Sequence, residues 1–449
     1  MMRSVVGTHC LLALALPWST VTAQPSLDGL IDRDIPALVS TYQALHAAPE
    51  LSHYEEKTSA FIAKELRALG YTVTERIGKF KRPEWRGWGV VGVMRNGEGP
   101  VVLVRTDMDG LPVEEKTGLP YASKVRVKND AGQEVGVMHA CGHDIHMTTF
   151  LGTAKLLVEL KNEWRGTLVL VGQPAEETVD GAQAMLDDGL YDRIPKVDYA
   201  LAIHDSADIE AGKLGLSPGY MMASGTAVEI VVRGIGGHGA RPEDAKDPVV
   251  LTAQIILALQ TIVSRENSPL DPAVVTVGSI HGGSRPNIIP DEVRLQLTVR
   301  AYKEEVRQSM LEAIERIARG TAIAAGIPPE LAPVVNVSTT EYTPATYNDP
   351  ALAERLAATF VRSLGADRVL ELQPVMVSED FARFALEGHQ IPSVMFQVGT
   401  SDPVKLADSR RTGTAMPALH SPFFAPLPEP AIRTGVKGMT TAVLELMKK

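Results

Sequence analysis

Met138-His-Ala-Cys-Gly-His-Asp-Ile-His146 gathers a thiol, three imidazoles and a carboxylate into nine residues. These are the side chains that bind a borderline-soft divalent metal. Gly142, between Cys141 and His143, lets the backbone turn tightly enough for both to face one point. The chain has only 11 histidines, and three of them in one stretch argue against chance scatter. The apolar run that begins Met147-Thr-Thr-Phe-Leu-Gly-Thr-Ala-Lys-Leu-Leu157 reads as a helix. The cluster is therefore expected on a loop that enters a helix.

Working outward, strand-like runs deliver further polar side chains. Val101 to Arg105 enters the acidic loop Thr106-Asp-Met-Asp-Gly-Leu-Pro112. Thr167 to Val171 runs into Gln173-Pro-Ala-Glu-Glu177, and Val197 to Ile203 ends on His204. Open α/β sheets place ligands beyond the carboxyl ends of their strands. Three such ends in order predict a layered α/β domain around a central mixed sheet. The neighbouring carboxylates Glu176 and Glu177 suggest a division of labour, one holding metal while the other handles protons. Two exposed glutamates on a surface turn are the plainer alternative.

From about Ser224 the texture changes. Strands at 226–233, 273–280, 293–300 and 334–340 alternate with helices at 248–263 and 303–325, in the order β-α-β-β-α-β of a ferredoxin-like fold. Mixed texture then returns, with a helix from Ala351, a strand from Ser393 and a last helix from Pro428 to Met447. The fold class read from this order is α/β: a layered domain over 24–223 and 342–449, interrupted by an inserted α+β domain over 224–341.

Residues 1–23 have a basic start, a short apolar run and small residues at Val21-Thr-Ala23, the pattern of a secretory signal peptide cut after Ala23. The expected location is periplasmic or secreted. Of the two cysteines only Cys141 lies beyond that cut, so no internal disulfide is available to the mature chain. Net charge is −10 without a Lys/Arg block, which argues against nucleic acid or an anionic membrane as partner. No stretch after the signal reads as a membrane span.

Several segments together carry a family resemblance: His46 to Ser52 with Glu55, Val104 to Pro112, Met138 to His146, Gln173 to Glu177, Gly236 to Pro242, Asn287 to Pro290, Ser378 to Phe381 and His420 to Phe423. In these segments the chain resembles the metal-dependent amidohydrolases that include hippurate hydrolase, auxin-conjugate hydrolases and N-acyl-amino-acid amidohydrolases, relatives of aminoacylase and glutamate carboxypeptidase. The resemblance implies two divalent metal ions held by Cys141, His143, Glu177, His204 and His420. Zinc suits the donors best, with manganese, cobalt or nickel open. It implies Glu176 as general acid/base, Asp109 as a carboxylate that orients a ligand, and attack of metal-bound hydroxide on the amide of an N-acyl or N-aroyl amino acid. It also implies that the inserted domain is a lid or dimerisation unit whose His238 stabilises the oxyanion, often across a homodimer or higher homo-oligomer. Asn287 and Arg300 match substrate-binding positions, Arg300 through a two-pronged grip on a carboxylate. A turn histidine and a surface arginine are the plain readings of His238 and Arg300.

Asp107 stands where wider relatives keep a metal-binding His, and Asp144 and His146 read as supporting residues. Relatives usually follow the His204 position with a bulky residue; here the sequence is Asp205-Ser-Ala-Asp208. Arg241, Glu243 and the Lys/Arg/Trp-rich stretch 79–88 also depart from the pattern and bear on substrate preference. A dipeptidase or carboxypeptidase of the same family is the nearest rival reading, and an inactive binding protein is a third.

Overall fold

The computed structural model describes Met1 and residues 26–386 and 388–449. Apart from Met1, the expected signal segment lies outside the described residues. An eight-stranded sheet organises the chain, in the order Thr72–Ile77, Gly89–Asn96, Gly166–Gln173, Val101–Asp107, Tyr199–Glu210, Ser393–Ser401, Leu214–Leu216 and Val369–Glu371. The four strands from Gly166–Gln173 to Ser393–Ser401 run parallel to their neighbours, and the outer pairings are mixed. Both faces are covered, which explains the near-continuous apolar strand sequences. On one face the helices Leu27–His46, His143–Glu159 and Pro428–Met447 bury Tyr42, Phe150, Trp164 and Val436. The other face packs Met185, Leu190, Phe381 and Phe384 against Val91, Val169 and Ala200. Ser26 caps the first helix by accepting a hydrogen bond from the Gly29 N–H.

The chain leaves this sheet to build a separate four-stranded antiparallel one, in the order Ala273–Gly282, Glu292–Ala301, Ser224–Arg233 and Val334–Thr343. The helices Pro248–Thr261 and Glu304–Ala324 cover one face and share its core through Leu251, Ile255, Leu259, Ile314 and Ile317. Among the described residues one helical stretch, Pro248–Glu266, is long and apolar enough to cross a membrane. Here its apolar side packs on the sheet, with Leu251, Ile255 and Leu259 buried.

Two local expectations are corrected. The helix after Cys141 begins at His143, so His143, Asp144 and His146 lie in its first turn and not on a loop. Gly142 precedes it in the left-handed region at φ 73°, a start with no capping side chain and so no sequence signal. The strand expected to end on His204 continues to Glu210, because Val398 and Gly399 extend its pairing past Asp205 and Ser206.

Candidate metal centre

Strands Gly166–Gln173, Val101–Asp107 and Tyr199–Glu210 are sheet neighbours, so their polar ends arrive side by side. Asp107 closes one, Glu176 and Glu177 follow another, and His204 sits within the third. The helix start at Gly142 sets Cys141 and His143 over these ends. His420, in a left-handed turn at φ 68° and anchored by its N–H to Ala140 O at 2.7 Å, closes the outer side.

The five expected ligands meet. Cys141 Sγ lies 3.3 Å from His420 Nε2 and 3.7 Å from His204 Nε2. Glu177 Oε2 lies 3.5 Å from His420 Nε2, and its Oε1 is 3.8 Å from His143 Nε2. Glu176 Oε2 faces the same His143 nitrogen at 3.7 Å. Cys141–His143–His204, Cys141–Glu177–His420 and His143–Glu176–Glu177 each converge closely enough to hold one ion. Four of the ligands are walled in, while the His420 side chain is 56% exposed and marks the open side.

The donors fit a cation on their own chemistry. His143 Nε2 and Glu177 Oε1 are buried and have no hydrogen-bond partner among the described residues, an arrangement costly for groups left unsatisfied. Burial, reinforced by Glu177, pushes the Cys141 thiol well above its ordinary range. Burial pushes Glu177 up to about 7, and burial with the nearby Glu379 charge raises Glu176 well above the usual carboxylate range. So many carboxylates and a thiol, buried together, need added positive charge to ionise together.

Neighbouring residues hold the donors in place. His143 Nδ1 lies 2.8 Å from Asp109 O and 3.4 Å from its Oδ1, leaving Nε2 toward the centre. Asp109 Oδ2 accepts from the Glu177 N–H at 3.0 Å and the Ser52 hydroxyl at 2.6 Å. Asp107 lies 2.7 Å from His146 Nδ1 and 3.8 Å from His143 Nε2. Asp144 turns away, pairing with His46 at 2.6 Å, while Glu115 binds the other His46 nitrogen at 3.1 Å.

A fully buried Arg105 was not recognised from the sequence. Its Nε donates to Gln173 at 2.8 Å, Nη1 to Asp107 at 2.7 Å, and Nη2 to Glu379 at 2.8 Å and Asp380 at 3.2 Å. Only the alternation of a strand placed it facing inward, and nothing local points to partners more than 270 positions away.

The other expected residues lie elsewhere. His238 and Asn287 are exposed neighbours, joined where Gly237–His238 pairs with Ile288–Ile289. His238 Nδ1 accepts from the Ala240 N–H at 3.0 Å, and the ring makes no contact with the metal ligands among the described residues. Arg300 Nη1 donates to Met376 O at 3.0 Å and Ser378 Oγ at 2.9 Å. That ties one branch of the guanidinium to the segment that follows the strand Val369–Glu371 of the larger sheet, and Arg300 has no ion pair among the described residues.

Comparison with known proteins identifies the family. The family model described as peptidase family M20/M25/M40 matches residues 103–444. An N-acetyl-L-cysteine deacetylase of Bacillus subtilis is 38% identical, covering 77% of this chain and 77% of its own. Thermostable carboxypeptidase 1 of Saccharolobus solfataricus is 35% identical over 82% of this chain and 87% of its own. The solved structure of a Bacillus subtilis protein, described as a dinuclear metal-binding peptidase of the M20 family, superposes with a TM-score of 0.71 at 28% identity, covering 92% of this chain and 98% of its own. The chain is a metal-dependent hydrolase of amide bonds and belongs to peptidase family M20/M25/M40.

Proposed function

We propose that the protein hydrolyses the amide of N-acyl or N-aroyl amino acids, with Cys141, His143, Glu177, His204 and His420 holding two divalent ions and Glu176 as general acid/base. The observation that carries this reading is the meeting of Cys141, His204 and His420 at 3.3 and 3.7 Å beside a carboxylate pair. When bound, the ions would supply Lewis acidity, bringing the pKa of water to about 7 and polarising the amide carbonyl. Zinc is the proposed metal, on the preference of thiolate and imidazole donors.

Glu176, raised by burial and Glu379, is suited to take the proton of the attacking water and return it to the departing amine nitrogen. Asp109 keeps His143 and Glu177 aimed inward through the bonds described above. His238 and Asn287, exposed and away from the ligands, are proposed to reach the amide when the four-stranded unit, residues 224–341, closes as a lid or when a second copy of the chain docks. There His238 would donate to the developing oxyanion. The half-buried Arg300 is assigned the substrate carboxylate. Export rests on the pattern of residues 1–23.

The deacetylase relative supports an acyl amino acid as substrate; the carboxypeptidase relative favours a second reading, a peptidase. Parallel assay of zinc-loaded protein on N-acetyl amino acids, N-benzoyl amino acids and dipeptides decides between them. Glu176→Ala should abolish turnover on the preferred substrate while metal content stays near two per chain, and retained turnover would refute the role of Glu176.

A further inference from the structure

We propose that Asp205 is a buried counter-charge to the metal pair, a positioning residue that tightens metal binding through His204. This deepens the proposed function and rests on the metal centre assigned there. Asp205 follows His204 in the strand Tyr199–Glu210 and is fully buried. Neither carboxylate oxygen accepts a hydrogen bond among the described residues. Its Oδ1 stands 3.4 Å from His204 Nδ1 and 3.4 Å from His146 Nε2, and the three side chains form one of the clusters able to converge on a cation.

The directions of the surrounding bonds show what the carboxylate faces. The Asp205 N–H donates to His146 Nε2 at 2.8 Å, so that nitrogen is an acceptor and the ring's proton is on Nδ1, toward Asp107. His204 Nδ1 lies 2.7 Å from the Asp205 carbonyl oxygen, which fixes its proton there and leaves Nε2 free to bind metal. The His146 nitrogen that faces Asp205 is thus an acceptor, and the His204 proton is spent on a backbone carbonyl, so neither ring donates to the carboxylate. An isolated buried carboxylate costs several kcal/mol. An ion held on the far nitrogen of His204 would place positive charge one ring away from Asp205. A carboxylate behind a ligating imidazole also makes that imidazole a stronger donor.

The neighbouring backbone is built around this group. A Cβ on Gly142 would come within 2.7 Å of Asp205 Oδ1 and closer still to Oδ2, so the carboxylate fills the space beneath the turn that aims Cys141 and His143.

The test is chelator competition for zinc and for manganese on full-length wild-type protein, Asp205→Asn and Asp205→Leu, together with thermal unfolding of each metal-free protein. Wild type should take up two ions. Both variants should lose about 10- to 100-fold in affinity for at least one of them, while their metal-free melting temperatures hold or rise because an uncompensated charge has gone. Affinities within threefold of wild type would overturn the role of Asp205 and leave the metal centre standing. Weaker binding with an equal fall in metal-free stability would make Asp205 merely structural and overturn it too. A wild-type protein that takes up neither metal would overturn the centre itself.

Discussion

Replacing Arg105 with Met should destabilise the metal-free protein by about 3–5 kcal/mol at pH 8, the usual result of removing one partner from a buried ionic network. The guanidinium is fully buried and donates to four groups: Gln173, Asp107, Glu379 and Asp380. Methionine fills similar space but leaves Asp107 and Glu379 without their cation. Asp380 differs, since burial, against the pull of Arg105, pushes it up to about 8, so near neutrality it is largely protonated already. The deficit should therefore depend on pH in a definite sense. Burial raises Asp107, but His143, His146 and Arg105 outweigh it and hold Asp107 well below the usual carboxylate range; without Arg105 that folded-state pKa rises, and the variant binds extra protons on folding. Its deficit should shrink as pH falls toward 5. Lysine should rescue only part of it, since an ammonium cannot spread over four fixed acceptors. Urea unfolding of wild type, Arg105→Met and Arg105→Lys at pH 5, 6.5 and 8 measures all of this. A loss below about 1 kcal/mol at pH 8, or one that does not change with pH, would refute the assignment of Arg105 as the charge that holds these strand ends together.

Three further outcomes are expected. Gly142→Ala should cost about 2–4 kcal/mol, from a left-handed residue at φ 73° and overlap with the Asp205 carboxylate; elemental analysis should show folded protein with depleted metal. His46 is lowered by burial, but Asp144 and Glu115 outweigh this and raise it to about 10. Its contribution is complete below about pH 6.5 and fades as pH rises toward 10. Metal-free wild type should thus lose stability over that range, and His46→Gln should flatten the slope in urea titrations. Stripping the ions with a chelator should lower the unfolding free energy by about 2.7 kcal/mol for each occupied site relative to protein held at a hundredfold excess over Kd; calorimetry that shows no shift would contradict a resident metal.

The five residues that converge were legible because thiol and imidazole are scarce in this sequence and because Glu177 and His204 come at the ends of apolar runs. The long elements were legible too, since periodicity marks them: the last helix was read as Pro428 to Met447 and is found there. What escaped has a common physical cause. Leu214–Leu216 and Val369–Glu371 have three residues each, too few to show an alternation. The helix start at His143 lacks a capping side chain and so gave no boundary signal.

Asp205 and Arg105 show a deeper limit. As a letter following His204, Asp205 reads as polar loop; only the pairing of Asp205 with Val398 makes it an inward strand residue. Arg105 reads as the end of an apolar strand, and its meaning depends on Glu379 and Asp380, which arrive from the far end of the chain. Local sequence patterns report what a residue does to its own backbone, and a metal ligand is recognisable because its chemistry is intrinsic. A counter-charge has no such signature, since its role is fixed by what folding packs against it. The two carboxylates that flank His146, Asp107 and Asp205, are therefore where a substitution can tune the centre without touching a candidate ligand.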